Sequence, residues 1–175
     1  NDGNGVDAGH ARIYTFNGNQ WVQKGSDIDG ENSYDLSGYS LSMPDSNTIG
    51  IGAYANDGAA TSAGHVRIFS WKGGNWLQKG LDIDGVNFGD HSGFAISMPD
   101  SNTVAIGAKR NDSNGVDAGH VRIFMWNGIN WIQKGSDLNG ENAGDEFGWA
   151  VTMPNANTIA ISSYRNNNYF GHVRV

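Results

Sequence analysis

One short segment is written three times in this chain: AGHARIYTFNG at Ala8–Gly18, AGHVRIFSWKG at Ala63–Gly73 and AGHVRIFMWNG at Ala118–Gly128. A fourth copy opens as GHVRV at Gly171–Val175. Trp21, Trp76 and Trp131 keep the same 55-residue spacing, as do Met43, Met98 and Met153. The last interval, Gly119 to Gly171, is 52 residues, shortened in the loop that holds Arg165-Asn166-Asn167-Asn168. A fixed period of this length means that each unit cannot bury its apolar face alone and must stack on its neighbours. The chain 1–175 is therefore expected to be one repeat array, with units at about 8–62, 63–117 and 118–170 and a fourth started at 171–175.

Within each period the sequence predicts four short strands, in the third copy Val121–Trp126, Asn130–Lys134, Phe147–Met153 and Thr158–Ser162. Apolar residues alternate instead of recurring every third or fourth position, and 26 glycines leave little room for helix. Asn17-Gly18, Gly73-Gly74 and Asn127-Gly128 mark tight hairpins. Met43–Asn47 and Met98–Asn102 predict the next hairpin, with proline in the turn because it lacks an N–H to give a sheet. In His120–Trp126 both strand faces carry large apolar residues, as a sheet held between two other sheets requires.

The expected fold is all-β: consecutive β-propeller blades of four antiparallel strands, just over three blades in all. A β-solenoid is the rival, but its rungs are usually shorter. Propellers have roughly four to eight blades. The ring is therefore expected to be completed by a longer parent polypeptide or by neighbouring subunits, a filament being one such assembly.

The segments Ser37-Gly38-Tyr39-Ser40-Leu41, Ser92-Gly93-Phe94-Ala95-Ile96 and Glu146-Phe147-Gly148-Trp149-Ala150 precede Ile-Gly-Ile-Gly-Ala (49–53), Val-Ala-Ile-Gly-Ala (104–108) and Ile-Ala-Ile-Ser-Ser (159–163). This pattern resembles the FG-GAP repeat of integrin α-chain propellers and their extracellular relatives. The resemblance implies a propeller outside the cell or on its surface, in a structural or adhesive role. Only Phe147-Gly148 keeps the literal pair. The calcium loop that the family carries between its motif strands is reduced here to Pro44-Asp45-Ser46-Asn47 and its copies, so that role is not carried over.

A net charge of −7, with eleven basic residues spread at repeat intervals, excludes a clustered phosphate-binding face and so disfavours nucleic acid. No apolar run is long enough to insert into a membrane as a helix. Without cysteine there is neither a disulfide nor a thiolate site.

Four sets of residues invite a functional reading. Asp27, Asp29 and Asp35, with Asp82, Asp84 and Asp90 and then Asp137 and Asp145, alternate around glycine and could offer calcium its oxygen ligands; plain turns are the simpler reading. His10, His65, His120 and His172 recur at one slot and are expected to bond between blades, while His91 stands alone in a loop. Arg12, Arg67, Arg122 and Arg174 need acidic partners if buried, with Asp35, Asp90 and Asp145 best matched. The tryptophans repeat and are expected to pack between blades. Tyr39, Phe94 and Trp149 differ in size at a common slot, which suits a specific ligand contact.

Asn111-Asp112-Ser113 is a glycosylation sequon. No catalytic constellation is present. The sequence favours a non-enzymatic extracellular module that partners protein, either its own kind or neighbouring repeats; a carbohydrate-binding propeller that takes glycans is the alternative.

Overall fold

The computed structural model describes residues 3–166 and 171–175. It is all-β, a series of antiparallel sheets. The chain enters through four short strands, β1 (His10–Ala11), β2 (Tyr14–Phe16), β3 (Trp21–Gln23) and β4 (Ile28–Asp29). The first full sheet follows as β5 (Ser40–Asp45), β6 (Thr48–Ala53), β7 (His65–Lys72), β8 (Asn75–Gln78) and β9 (Ile83–Asp84). The second repeats it as β10 (Ser92–Asp100), β11 (Thr103–Ala108), β12 (His120–Trp126), β13 (Trp131–Gln133) and β14 (Leu138–Asn139). A third sheet holds β15 (Ala150–Asn155), β16 (Thr158–Ser163) and β17 (His172–Arg174).

Each full sheet has four strand positions in meander order. The fourth is split: β8 pairs with the end of β7 and β9 with its start, and β13 and β14 divide β12 in the same way. Gly80 and Gly135, at φ 81° and 75°, make the break, where a side chain would be strained. The hydrogen-bonded unit thus runs from Ser40 to Asp84, out of phase with the unit read from sequence identity. Part of the shortened loop of the third repeat, residues 167–170, lies outside the described residues.

The turn dipeptides meet expectation unevenly. Gly73-Gly74 closes a two-residue hairpin with both φ positive. Around Asn127-Gly128 the loop is four residues wide; only Gly128 has positive φ, and the Asn127 Oδ1 accepts the N–H groups of Ile129 and Asn130 instead. The prolines are not in turns. Pro44, Pro99 and Pro154 sit inside β5, β10 and β15 at register shifts. These are outer strands of their sheets, and a bulge there needs no N–H at the proline.

The core lies between the sheets. Val66, Ile68 and Ile83 of the first sheet meet Ile96, Met98, Val104 and Ile106 of the second. Ile49 and Ile51 meet Ala11, Ile13 and Ile28 on one side, and Val121 meets Phe147, Met153 and Ile161 on the other. Strands β6 and β11, covered on both faces, are buried along their whole length. Strand β10 packs between β5 and β15.

At that seam the backbones touch. A Cβ on Gly52 would stand 2.2 Å from the carbonyl oxygen of Gly93, and one on Gly107 would stand 2.3 Å from that of Gly148. The glycines of both motif halves are thus one contact seen from two sides.

Candidate functional site

The repeats are nearly identical, so the positions where they differ are informative. Tyr39, Phe94 and Trp149 stand at or just before the starts of the side-by-side strands β5, β10 and β15. Between them lie Tyr54, Lys109 and Tyr164, which follow β6, β11 and β16 at one repeated position. Ring centroids run Tyr54 to Tyr39 at 4.6 Å, Tyr39 to Phe94 at 5.0 Å, Phe94 to Trp149 at 4.9 Å and Trp149 to Tyr164 at 4.2 Å. The structure therefore joins the three residues of the variable slot into one aromatic arc. Tyr39, 52% exposed, opens it to solvent.

Lys109 replaces an aromatic ring in the middle of this arc. Its Nζ sits 3.8 Å from the Phe94 ring and 4.1 Å from that of Trp149, a double cation–π contact. Burial, to 8% exposure, pulls its pKa down, opposed by the charge of Glu146. Leu36, His91 and Glu146 share another variable slot, each at positive φ near 50–58° without being glycine. Such left-handed residues are strained and gather where the surroundings enforce them.

Glu146 is buried; its Oε1 lies 2.6 Å from Arg165 Nη1, and its Oε2 has no hydrogen-bond partner. His91 is half-buried beside the Tyr54 ring, not a free loop residue, and its Nδ1 is buried without a partner. Burial, with Arg110 and Lys109 nearby, lowers the His91 pKa to about 4. Lys109 and Glu146 were not singled out in the sequence, and His91 was read there only as a lone loop residue. Their signal was dissimilarity across copies, the same signal that Tyr39, Phe94 and Trp149 gave.

The repeated polar residues do structural work. Asp35, Asp90 and Asp145 are buried and accept the side-chain amides of Asn56, Asn111 and Asn166 at 3.0, 3.1 and 3.0 Å, as well as the backbone N–H of Asn32, Asn87 and Asn142. They do not pair with the arginines. Arg67 and Arg122 reach across to the carbonyl oxygens of Asp29 and Asp84, at 2.7 and 2.6 Å, because the guanidinium fork spans the gap to the preceding unit. Arg12 pairs with Asp27.

Asp82 and Asp137 accept from Gln78 and Gln133 and stand 3.7 and 3.4 Å from the Nδ1 of His65 and His120. His65 and His120 thus each face a carboxylate of their own unit, and His65 faces Glu31 of the preceding unit as well. Of the eight aspartates, Asp35, Asp90 and Asp145 hold loop amides, Asp27 pairs with Arg12, Asp82 and Asp137 accept from glutamines, and Asp29 and Asp84 offer backbone carbonyls to arginines. The Asn111 side chain of the sequon is 1% exposed, its amide nitrogen donating to Asp90 and its oxygen accepting from the Ser113 N–H.

Trp76 and Trp131 do pack between units, donating to the carbonyls of Lys24 and Lys79; Trp21 is 68% exposed. A groove opens at each of these two junctions. One, about 320 Å³, is lined by Asp27, Asp29, Arg67, Phe69 and Trp76, and the other, about 350 Å³, by Asp82, Asp84, Arg122, Phe124 and Trp131. Among the described residues no helix is long and apolar enough to cross a membrane. No protein-family model matches the sequence, and comparison with curated proteins finds no match.

Proposed function

We propose that this chain is a run of consecutive blades of an FG-GAP-type β-propeller and serves, without catalysis, as an extracellular structural or adhesive module. The observation that carries the reading is the gathering of the dissimilar positions into one partly open aromatic arc. Many of the repeated residues hold loops and units together; Tyr39, Tyr54, Phe94, Lys109, Trp149 and Tyr164 are positions that differ from copy to copy and yet meet in space. Large aromatic faces with a buried amine between them suit contact with another macromolecule. Immobilised chain should retain binding partners from an extracellular-matrix protein panel, and Trp149→Ala should weaken retention about tenfold or more, as loss of a central aromatic anchor does. Retention unaffected by Trp149→Ala and Tyr39→Ala would overturn the assignment to the arc.

The alternative, carbohydrate binding, is favoured by the two junction grooves, where tryptophan and phenylalanine stand beside carboxylates and an arginine. Sugar rings lay their apolar faces on such aromatics while hydroxyls bond the charged groups. A glycan array separates the readings: signal lost with Trp131→Ala but kept with Trp149→Ala places a sugar in the grooves.

A further inference from the structure

We infer that Glu31, His65 and Asp82 form a binding site for one divalent transition-metal ion of the zinc class, bridging the first two units. The three side chains present ligand atoms within 4.8 Å of one another, and they are the group among the described residues that does so. Glu31 comes from the loop after β4, His65 from the start of β7, and Asp82 from the break between β8 and β9. The His65 side chain is 2% exposed, and its Nδ1 is 3.7 Å from Asp82 Oδ2, too long for a hydrogen bond. A buried imidazole nitrogen thus faces two part-exposed carboxylates and makes no bond to either.

The charges around it favour a cation. Glu31, Asp35, Asp82 and Asp84 all act on or beside His65, against the guanidinium of Arg67 next to the imidazole and that of Arg122 next to Asp84. Arg67 touches Glu31 Oε1 at 3.4 Å through Nη1, but it is anchored separately, through Nη2, on the Asp29 carbonyl. Metal entry therefore displaces one end of a fork and leaves the other in place. One imidazole and two carboxylates, with a side open to water, match the ligand preference of zinc; calcium calls for about six to eight oxygens.

The protein carries its own control. The second junction keeps His120 and Asp137 but has Val86 where Glu31 stands, so it offers two ligands instead of three.

The test is calorimetric titration of Zn²⁺ into EDTA-stripped protein at neutral pH, repeated with Co²⁺ to read ligand-field absorption. One ion per chain is expected. Glu31→Val, which copies the second junction, should weaken binding by at least about 10- to 100-fold, the range seen for losing even an outer partner of a metal ligand. Val86→Glu should raise the stoichiometry to two. Both substitutions are at surface positions, so folding is retained without touching the buried His65. No Zn²⁺ binding, binding indifferent to Glu31→Val, or Ca²⁺ binding as tightly as Zn²⁺ would each overturn the site.

Discussion

At the scale of single residues, the structure turns on small polar anchors that the sequence hides. Asp90 and Asn111 are 21 residues apart, and each looks like an ordinary loop residue. In the folded chain they form one buried hydrogen bond, and the same bond recurs in the units before and after it. Asn111→Ala should leave a buried carboxylate oxygen short of a partner and cost about 1–3 kcal/mol, read from urea unfolding midpoints. An unchanged midpoint would show that the bond holds nothing.

His91 gives the molecule an acid sensitivity of defined sign. Its ordinary pKa of 6.5 falls to about 4 in the fold, chiefly through burial, with Arg110 and Lys109 adding to it and Asp117 and Asp90 opposing. Between those values the unfolded chain takes up a proton that the folded chain refuses. Stability therefore falls as pH drops from 6.5 towards 4 and levels off below. His91→Leu, the residue at the same slot in the first repeat, should shrink that slope in unfolding midpoints measured across the range. Identical slopes in the two proteins would remove His91 from the account.

At the scale of elements, the strands and their order were legible from alternation and from turn dipeptides, because both report directly on backbone geometry. Proline was misplaced because its turn preference and its tolerance for an outer-strand bulge look alike in sequence. The arginine partners differ from expectation for a related reason: charge suggests a carboxylate without saying which, and Arg12 pairs with Asp27 and Arg67 with Glu31, while the forks of Arg67 and Arg122 also reach carbonyls. The aromatic arc was half legible. Tyr39, Phe94 and Trp149 share an aromatic character that differs only in size, whereas Lys109 breaks the chemistry of its slot and was passed over.

Strand β6 offers a sharp test of what its glycines do. Gly52→Ala puts a methyl against the Gly93 carbonyl, and backbone cannot yield cheaply there. Gly50→Ala meets only side-chain ends, the sulfur of Met98 and the tip of Ile96, and alanine already stands at that place in Ala105 and Ala160. Thermal melts should show Gly52→Ala losing more than about 2 kcal/mol and Gly50→Ala much less. Equal losses would mean that strand propensity, not the seam, decides.

At the scale of the whole molecule, stability is shared between sheets that touch only their neighbours. The two middle sheets, β5–β9 and β10–β14, are covered on both sides, whereas β1–β4 and β15–β17 each have one described neighbour. Hydrogen exchange should be slowest in β6 and β11 and fastest in β2, β3 and β17. Ile106→Ala, in the buried second strand, should cost about 2–5 kcal/mol and raise exchange in the first two sheets together. Exchange confined to β11 would show that the sheets open independently.

The seam between sheets also decides what can vary in such an array. Where the Gly93 carbonyl occupies the place of a missing side chain, the separation of two units is set by covalent backbone dimensions, not by how well their cores are filled. Core residues can drift in size and alter only how firmly units hold. The pitch from one unit to the next stays constant as long as Gly52 and Gly107 remain. The third unit carries Ser162 at this position, its hydroxyl turned to the Ala150 N–H. The uniform step of the array is thus written for the two junctions that keep glycine at this position.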